Sequence, residues 1–277
     1  MYSVAIMPIL LGTAVAYADT HTLRWEIFLT FLISAVLILA WENISNDVFD
    51  SDTGIDRHKA HSLVNLTGNR SLIFSIGNLL LALGIGGIGA IAYLQQDPMI
   101  LLIILSCCFL GYLYQGPPFR LGYHGLGEIL CFFSFGPLAV AAAYYSQTQT
   151  WSNPSLVASV LLGITTTLVL FCSHFHQVED DLAAGKRSPI VRLGTARGSQ
   201  LLTVATASVF LLTGVFVGLK TLPVWTLLIF VSLPLAFKLC RYVGKYHHQP
   251  DRVSNSKFVA IGFHFVSGIL LCLGFLI

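Results

Sequence analysis

LIFSIGNLLLALGIGGIGAIAYL, from Leu72 to Leu94, runs for 23 residues without a charged side chain. A helix rising about 1.5 Å per residue crosses a hydrocarbon core of roughly 30 Å in such a run. The stretch does not alternate apolar with polar residues, which excludes the strand of about 10 residues that builds a membrane β-barrel. Eight further runs flank it, and together the nine predicted spans are 2–18, 25–46, 71–94, 98–115, 124–146, 154–176, 199–219, 222–242 and 257–277. The fold class is therefore all-α: a polytopic membrane protein with nine transmembrane helices around a central cavity, in one transmembrane domain over residues 1–277. Composition agrees, because 28 of the 277 residues are Asp, Glu, Lys or Arg, where a soluble chain of this length carries about 69. A soluble enzyme is excluded, and a net charge of +2 offers nothing to a nucleic acid. The first run is short and contains Pro8, but residues 1–23 hold no Lys or Arg, so it reads as a mature helix rather than a signal peptide.

Thirteen of the fifteen Lys and Arg residues fall on one side of these spans, with Arg24 and Lys220 on the other. Basic loops stay cytoplasmic, which places the N-terminus and the loops after spans two, four, six and eight in the cytoplasm. The acidic residues collect there too, in NDVFDSDTGID (Asn46 to Asp56) and in HFHQVEDDLAAGKRS (His174 to Ser188). Asn43, Asn46, Asp50 and Gly54 are spaced by 3, 4 and 4 residues, and so are His174, Gln177, Asp181 and Gly185. Such steps keep residues on one helix face. Spans two and six are thus each expected to end in a polar stripe, closed by a carboxylate and then a glycine where the helix stops. Four crossings separate the stripes, so they point the same way, and the chain reads as two similar four-helix halves plus a ninth helix.

Polar stripes in a membrane face a cavity or the bundle interior. Carboxylates facing one another across a cavity need cations between them, and hard oxygen clusters suit Mg2+, which keeps waters and is shared with substrate phosphates. Arg57, Lys59, Arg120, Lys186 and Arg187 lie close enough in sequence to hold the remaining phosphate oxygens. These residues point to a membrane-embedded enzyme acting on a lipid diphosphate.

The same residues resemble the UbiA superfamily of intramembrane aromatic prenyltransferases. NDVFDSDTGID is similar to the first motif of its naphthoate branch, with Asn46, Asp47, Asp50 and Asp56 on the motif positions; YQGPPFRLGYHGLGE, from Tyr114 to Glu128, and DDLAAGKRSPIVRLG, from Asp180 to Gly194, resemble two further segments of that branch. The resemblance covers both loops, and the helix count is compatible along the whole chain. In the family's second motif an Asp usually stands four residues before the last one, where this chain has Gln177, preceded by His174 and His176.

The resemblance implies transfer of a phytyl or other prenyl group from its diphosphate to 1,4-dihydroxy-2-naphthoate, with loss of CO2 and diphosphate, in a cell inner membrane or thylakoid. Asn46, Asp47, Asp50, Asp56, Asp180 and Asp181 would hold Mg2+, with Asp50 and Asp181 central to catalysis; Arg57, Lys59, Arg120, Lys186 and Arg187 would hold diphosphate. Asn43, Tyr112, Tyr114, Tyr123, His174, His176 and Gln177 are the candidates for the aromatic acceptor, and the prenyl tail would lie among apolar helices open to membrane lipid. The alternative within the family is a longer polyprenyl donor to the same acceptor. The alternative from another class is an ion-coupled transporter, which would place its charges near the bilayer midplane rather than at helix ends.

Other features read as structure. GIGGIG, Gly84 to Gly89, matches a nucleotide-binding pattern but lies inside an apolar span, where glycines let helices approach. The six cysteines lack metal-site spacing. Glu128 fits a helix start and a cavity contact equally well.

Overall fold

The computed structural model describes residues 2–55 and 62–277. All regular structure among them is helical: α1 (Ser3–Thr20), α2 (Trp25–Thr53), α3 (Leu63–Thr67), α4 (Arg70–Gln95), α5 (Met99–Gln115), α6 (Gly127–Phe133), α7 (Ala139–Thr148), α8 (Asn153–Ser173), α9 (Val178–Ala183), α10 (Pro189–Leu193), α11 (Thr195–Gly218), α12 (Leu233–Tyr246), α13 (Pro250–Val253) and α14 (Ser256–Leu276). Eight helical stretches are long and apolar enough to cross a membrane, and Met99–Gln115 is a ninth apolar helix of 17 residues. They coincide with the nine predicted spans to within a few residues, apart from the end of the second.

Local chemistry sets several of the boundaries. Asn69 accepts a hydrogen bond from the Leu72 amide at 3.0 Å and so starts α4, and Ser152 does the same for α8 through the Ser155 amide at 3.3 Å. Gly54 ends α2 with φ of 73°, its amide donating to the Asp50 carbonyl at 3.1 Å. Pro137 has no amide to give, and the turn around it, Ser134–Leu138, widens into a π-helix joining α6 to α7. That turn brings Gly136 onto α8, where a Cβ would stand 2.9 Å from the Gly163 Cα.

Burial follows a membrane logic. Tyr93, Leu211 and Phe237 are exposed, whereas Thr165, Thr166, Ser267 and His264 are buried. The His264 Nδ1 lies 3.0 Å from the Thr165 hydroxyl, a polar contact inside the bundle. α2 packs mainly along α4, and α8 lies against α11 and α14. Helix α1 is wrapped by α7, α8 and α14, with Met7, Leu11, Val15 and Ala16 buried. Its Gly12 is required there, since a Cβ would meet the Val140 carbonyl at 2.5 Å.

One expectation about the polar stripes holds and one changes. α2 continues past the apolar span to Thr53 and stops at Gly54, so Asn46 and Asp50 stand one turn apart on an unbroken helix. The second stripe does not share one helix face. α8 ends at Ser173, His174–His176 form a 3-10 turn, and α9 restarts at Val178. Gly185, with φ of +72°, still terminates the segment.

Candidate active site

A cavity of about 540 Å³ opens between α2, α5, α6, α8 and α14, with the two acidic motifs at one end of it. Asn43, Asn46, Asp50, Tyr112, Tyr114, His174, His176, Gln177, Asp180, Asp181 and Lys186 all line it. Asp56, Arg57 and Lys59 lie outside the described residues. Asp47, Arg120, Tyr123 and Arg187 are not part of the cavity wall.

On the α2 side, the site is built around Asp50. The Gln115 amide, at the end of α5, donates to its Oδ1 at 3.2 Å, and the Tyr123 hydroxyl donates to the same oxygen at 3.1 Å. Tyr123 is shared with Thr53, oxygen to oxygen 2.7 Å. Burial and the Asp50 charge hold the Tyr123 phenol above the ordinary range for tyrosine, which keeps its proton available for donation. Asp47, three residues before Asp50, turns the other way. Its Oδ2 accepts from the Ser62 hydroxyl at 3.0 Å and the Val64 amide at 3.1 Å, tying the start of α3 to α2. The structure therefore places Asp47 as an anchor of the following loop, apart from the cavity lining where it was expected to hold metal.

Across the cavity, Asp181 is flanked by a lysine and an imidazole. Lys186 Nζ lies 3.4 Å from its Oδ1, and His174 Nδ1 lies 3.5 Å from its Oδ2. The other imidazole nitrogen faces Glu128 Oε1 at 3.3 Å; Glu128 stands in the first turn of α6, behind the imidazole, and is not part of the cavity wall. The chain turns tightly here, because the Lys186 amide donates to the Asp181 carbonyl at 2.7 Å. The Asp181 side chain is 1% exposed. Burial raises its pKa, but His174 and Lys186 together outweigh that and hold the carboxyl below its ordinary range.

Tyr123 joins the two halves. Its hydroxyl reaches Asp50, its carbonyl accepts from the Arg187 amide at 2.8 Å, and its ring lies 5.8 Å from Lys186 Nζ and 6.0 Å from the Arg120 guanidinium. Arg192 adds a second tie between the loops, donating to the Arg187 carbonyl at 3.1 Å and the His124 carbonyl at 2.7 Å. Arg187 thus enters through its backbone, and Arg120 stands beside Tyr123 rather than on the cavity wall.

Residues that sequence reading passed over complete the wall. Gln115 touches Asp50, and Lys257, at the start of α14, brings a further cation into the cavity. Glu42 stands on the same wall, one turn before Asn46 and two before Asp50; the spacing of 42, 46 and 50 carried that signal. Gln115 was legible only as a polar residue at the end of an apolar run.

Among the described residues, no three His, Cys, Asp or Glu side chains come together as a metal cluster. Buried oxygens nevertheless remain without a hydrogen bond among the described residues: Asn46 Oδ1, both oxygens of Asp181 and both of Glu128. Hard oxygen donors left in this condition fit Mg2+, an ion that takes one or two carboxylates and completes its shell with water and phosphate.

Comparison with known proteins adds to this geometry. The profile of the UbiA prenyltransferase family matches residues 5–267. The chain is 57% identical over 275 residues to the 2-carboxy-1,4-naphthoquinone phytyltransferase of Synechocystis, covering 99% of this chain and 90% of that one. It is 40% identical over 285 residues to the chloroplastic 2-carboxy-1,4-naphthoquinone phytyltransferase of Arabidopsis thaliana, covering 100% of this chain and 75% of that one. The fold is similar to that of a UbiA homologue from Archaeoglobus fulgidus bound to GPP and Mg2+, with a TM-score of 0.59, 17% identity, and coverage of 99% and 98%.

Proposed function

We propose a specific reaction from one premise: the chain belongs to the UbiA prenyltransferase family and is an integral-membrane prenyltransferase. The reaction is transfer of a phytyl group from phytyl diphosphate to 1,4-dihydroxy-2-naphthoate, with release of diphosphate and CO2. The observation that carries it is the meeting of both acidic motifs in one cavity, Asp50 on one wall and Asp181 on the other. The choice of phytyl and of a naphthalene acceptor follows the two relatives that span nearly this whole chain. Those enzymes are named for a quinone acceptor; the reduced ring is preferred because attack on a carbocation requires an electron-rich carbon.

The diphosphate head lies at the acidic end of the cavity, and the tail follows the apolar walls of α8 and α14. Lys186 and Lys257 face the phosphate oxygens, and Arg57, Lys59 and Arg120 remain candidates from the sequence. Asn46, Asp50 and Asp181 would hold Mg2+, with Asp180 beside them and Asp56 as a further candidate. When bound, Mg2+ supplies Lewis-acid stabilisation of the charge that grows on the leaving diphosphate. Gln115 and Tyr123 fix the orientation of the Asp50 carboxylate, as outer hydrogen bonds do around metal ligands. Glu128 and His174 do the same for Asp181.

The allylic C–O bond breaks and diphosphate leaves with the electron pair. The ring carbon bearing the carboxylate forms the new C–C bond, and departure of CO2 returns its electron pair to the ring. The basic loops, and with them the acidic end of the cavity, face the cytoplasm.

The test is transfer in membranes with the naphthoate offered in reduced and oxidised forms, with phytyl, geranylgeranyl and longer polyprenyl diphosphates, before and after chelation. Phytyl transfer with stoichiometric CO2, lost on chelation and restored by Mg2+, is the expected result. Transfer with longer donors alone would move the chain to the polyprenyl reading; no transfer to either naphthoate form would remove the acceptor assignment.

A further inference from the structure

We infer that Glu42 is the residue that recognises the acceptor ring, by taking the hydroxyl that lies away from the acceptor's carboxylate. The inference rests on the reaction proposed above and names a residue that reaction did not use. Glu42 lies on α2 eight residues before Asp50, about 12 Å further along the helix axis, on the same cavity wall. Leu39, Trp41, Leu110 and Cys131 line the same cavity, together with the polar Asn43 and Gln115. Gly111 of α5 leaves it space: a Cβ at that glycine would stand 3.4 Å from Glu42 Oε1.

Asp50 has Gln115 and Tyr123, and Asp181 has His174 and Lys186. No hydrogen bond or ion pair reaches Glu42 among the described residues. It is half-buried on the cavity wall, so its carboxyl is open to a ligand that supplies the missing contact.

The two substrates differ in what they could supply. A phytyl chain offers no hydrogen-bonding group and would leave the carboxyl desolvated. The naphthoate offers a carboxylate and two hydroxyls. Its carboxylate is repelled by Glu42 and attracted to Lys186, Lys257 and His174 at the other end of the cavity. The hydroxyl next to that carboxylate is engaged by it internally. The hydroxyl across the ring is left free to donate, and it points away from the carboxylate, toward Glu42. The ring is then held at both ends between the acidic motifs and Glu42, where its carboxylate-bearing carbon meets the donor.

The experiment is steady-state transfer by the full chain in membranes, with 1-hydroxy-2-naphthoate as competing ligand, for wild type, Glu42→Gln and Glu42→Ala. 1-Hydroxy-2-naphthoate lacks only the hydroxyl assigned to Glu42. In Glu42→Ala the KM for 1,4-dihydroxy-2-naphthoate should rise roughly 10- to 100-fold, the loss expected of one hydrogen bond to a charged group. The inhibition constant of 1-hydroxy-2-naphthoate and the KM for phytyl diphosphate should stay unchanged, and Glu42→Gln, which keeps an accepting oxygen, should recover part of the loss. Equal weakening of both naphthoates, or a higher KM for the donor, would overturn the inference while leaving the reaction standing. If wild type transfers to no naphthoate, the reaction falls and the inference with it.

Discussion

Two carboxylates with the same sequence spacing around them are held in opposite ways. Asp50 sits on an unbroken helix, and the groups that donate to it among the described residues, Gln115 and Tyr123, are neutral. Asp181 follows a 3-10 turn and is flanked by Lys186 and His174, with Glu128 behind the imidazole. The difference teaches that a 3, 4, 4 pattern fixes which residues reach a site, not the backbone that carries them. On the Asp181 side, the pairing with Lys186 adds charge to that backbone difference.

The largest expected effect breaks the reaction itself. Asp50→Ala should lower transfer by about 10³-fold or more, with the melting temperature in detergent close to wild type; a variant retaining a tenth of the activity would contradict the central place given to Asp50. The next concerns stability. Lys186→Ala leaves a buried carboxylate without its cation and should destabilise by about 3–5 kcal/mol, against about 1–2 kcal/mol for Gln115→Ala. Denaturation of the purified proteins compares them, and equal losses would contradict the weight given to the Lys186–Asp181 pair.

Smaller effects sharpen it. Tyr123→Phe should raise the Mg2+ concentration for half-maximal activity by roughly 10-fold, the scale of an outer hydrogen bond at a metal site, as read from a metal titration. His174→Ala should raise the apparent requirement for naphthoate more than that for prenyl diphosphate; an equal rise in both would remove its acceptor role.

The smallest effect is remote from the site. Asp97 accepts from the Tyr145 hydroxyl at 2.6 Å and the Met99 amide at 2.9 Å, which lower its pKa. The stability it lends is present above the unfolded carboxyl's pKa of about 4 and is lost as pH falls through the lower folded value. Tyr145→Phe should flatten that acid-side decline in melting temperature and leave transfer at neutral pH unchanged.

The spans were legible because apolar runs and their punctuation by Asn69, Ser152 and Gly54 are local signals. The end of α2 was legible from the stripe and Gly54 rather than from apolarity, which stops near residue 46; what the sequence did not carry is the set of side chains 65 to 73 residues away that secure Asp50 and Thr53. Distance in sequence also hid the direction of Asp47, which is set by Ser62 and Val64. His174 was legible as a cavity residue from its place on the stripe, but its bridge between Glu128 and Asp181 depends on the break after α8, for which the sequence carries no proline or glycine.

The enclosure of α1 has a consequence in time. It comes earliest in chain order, yet its partners α7, α8 and α14 lie between residues 139 and 276. During synthesis it must wait in the bilayer with Gly12 and Thr13 turned to lipid or to an insertion factor until those helices arrive. Its modest mean hydropathy of 1.4, against 2.0 to 2.2 for α2, α4 and α8, suits the interior it finally occupies better than the lipid in which it begins. Assembly therefore closes around α1, and the cavity, with Val4 of α1 in its wall, is complete only once α14 is in place.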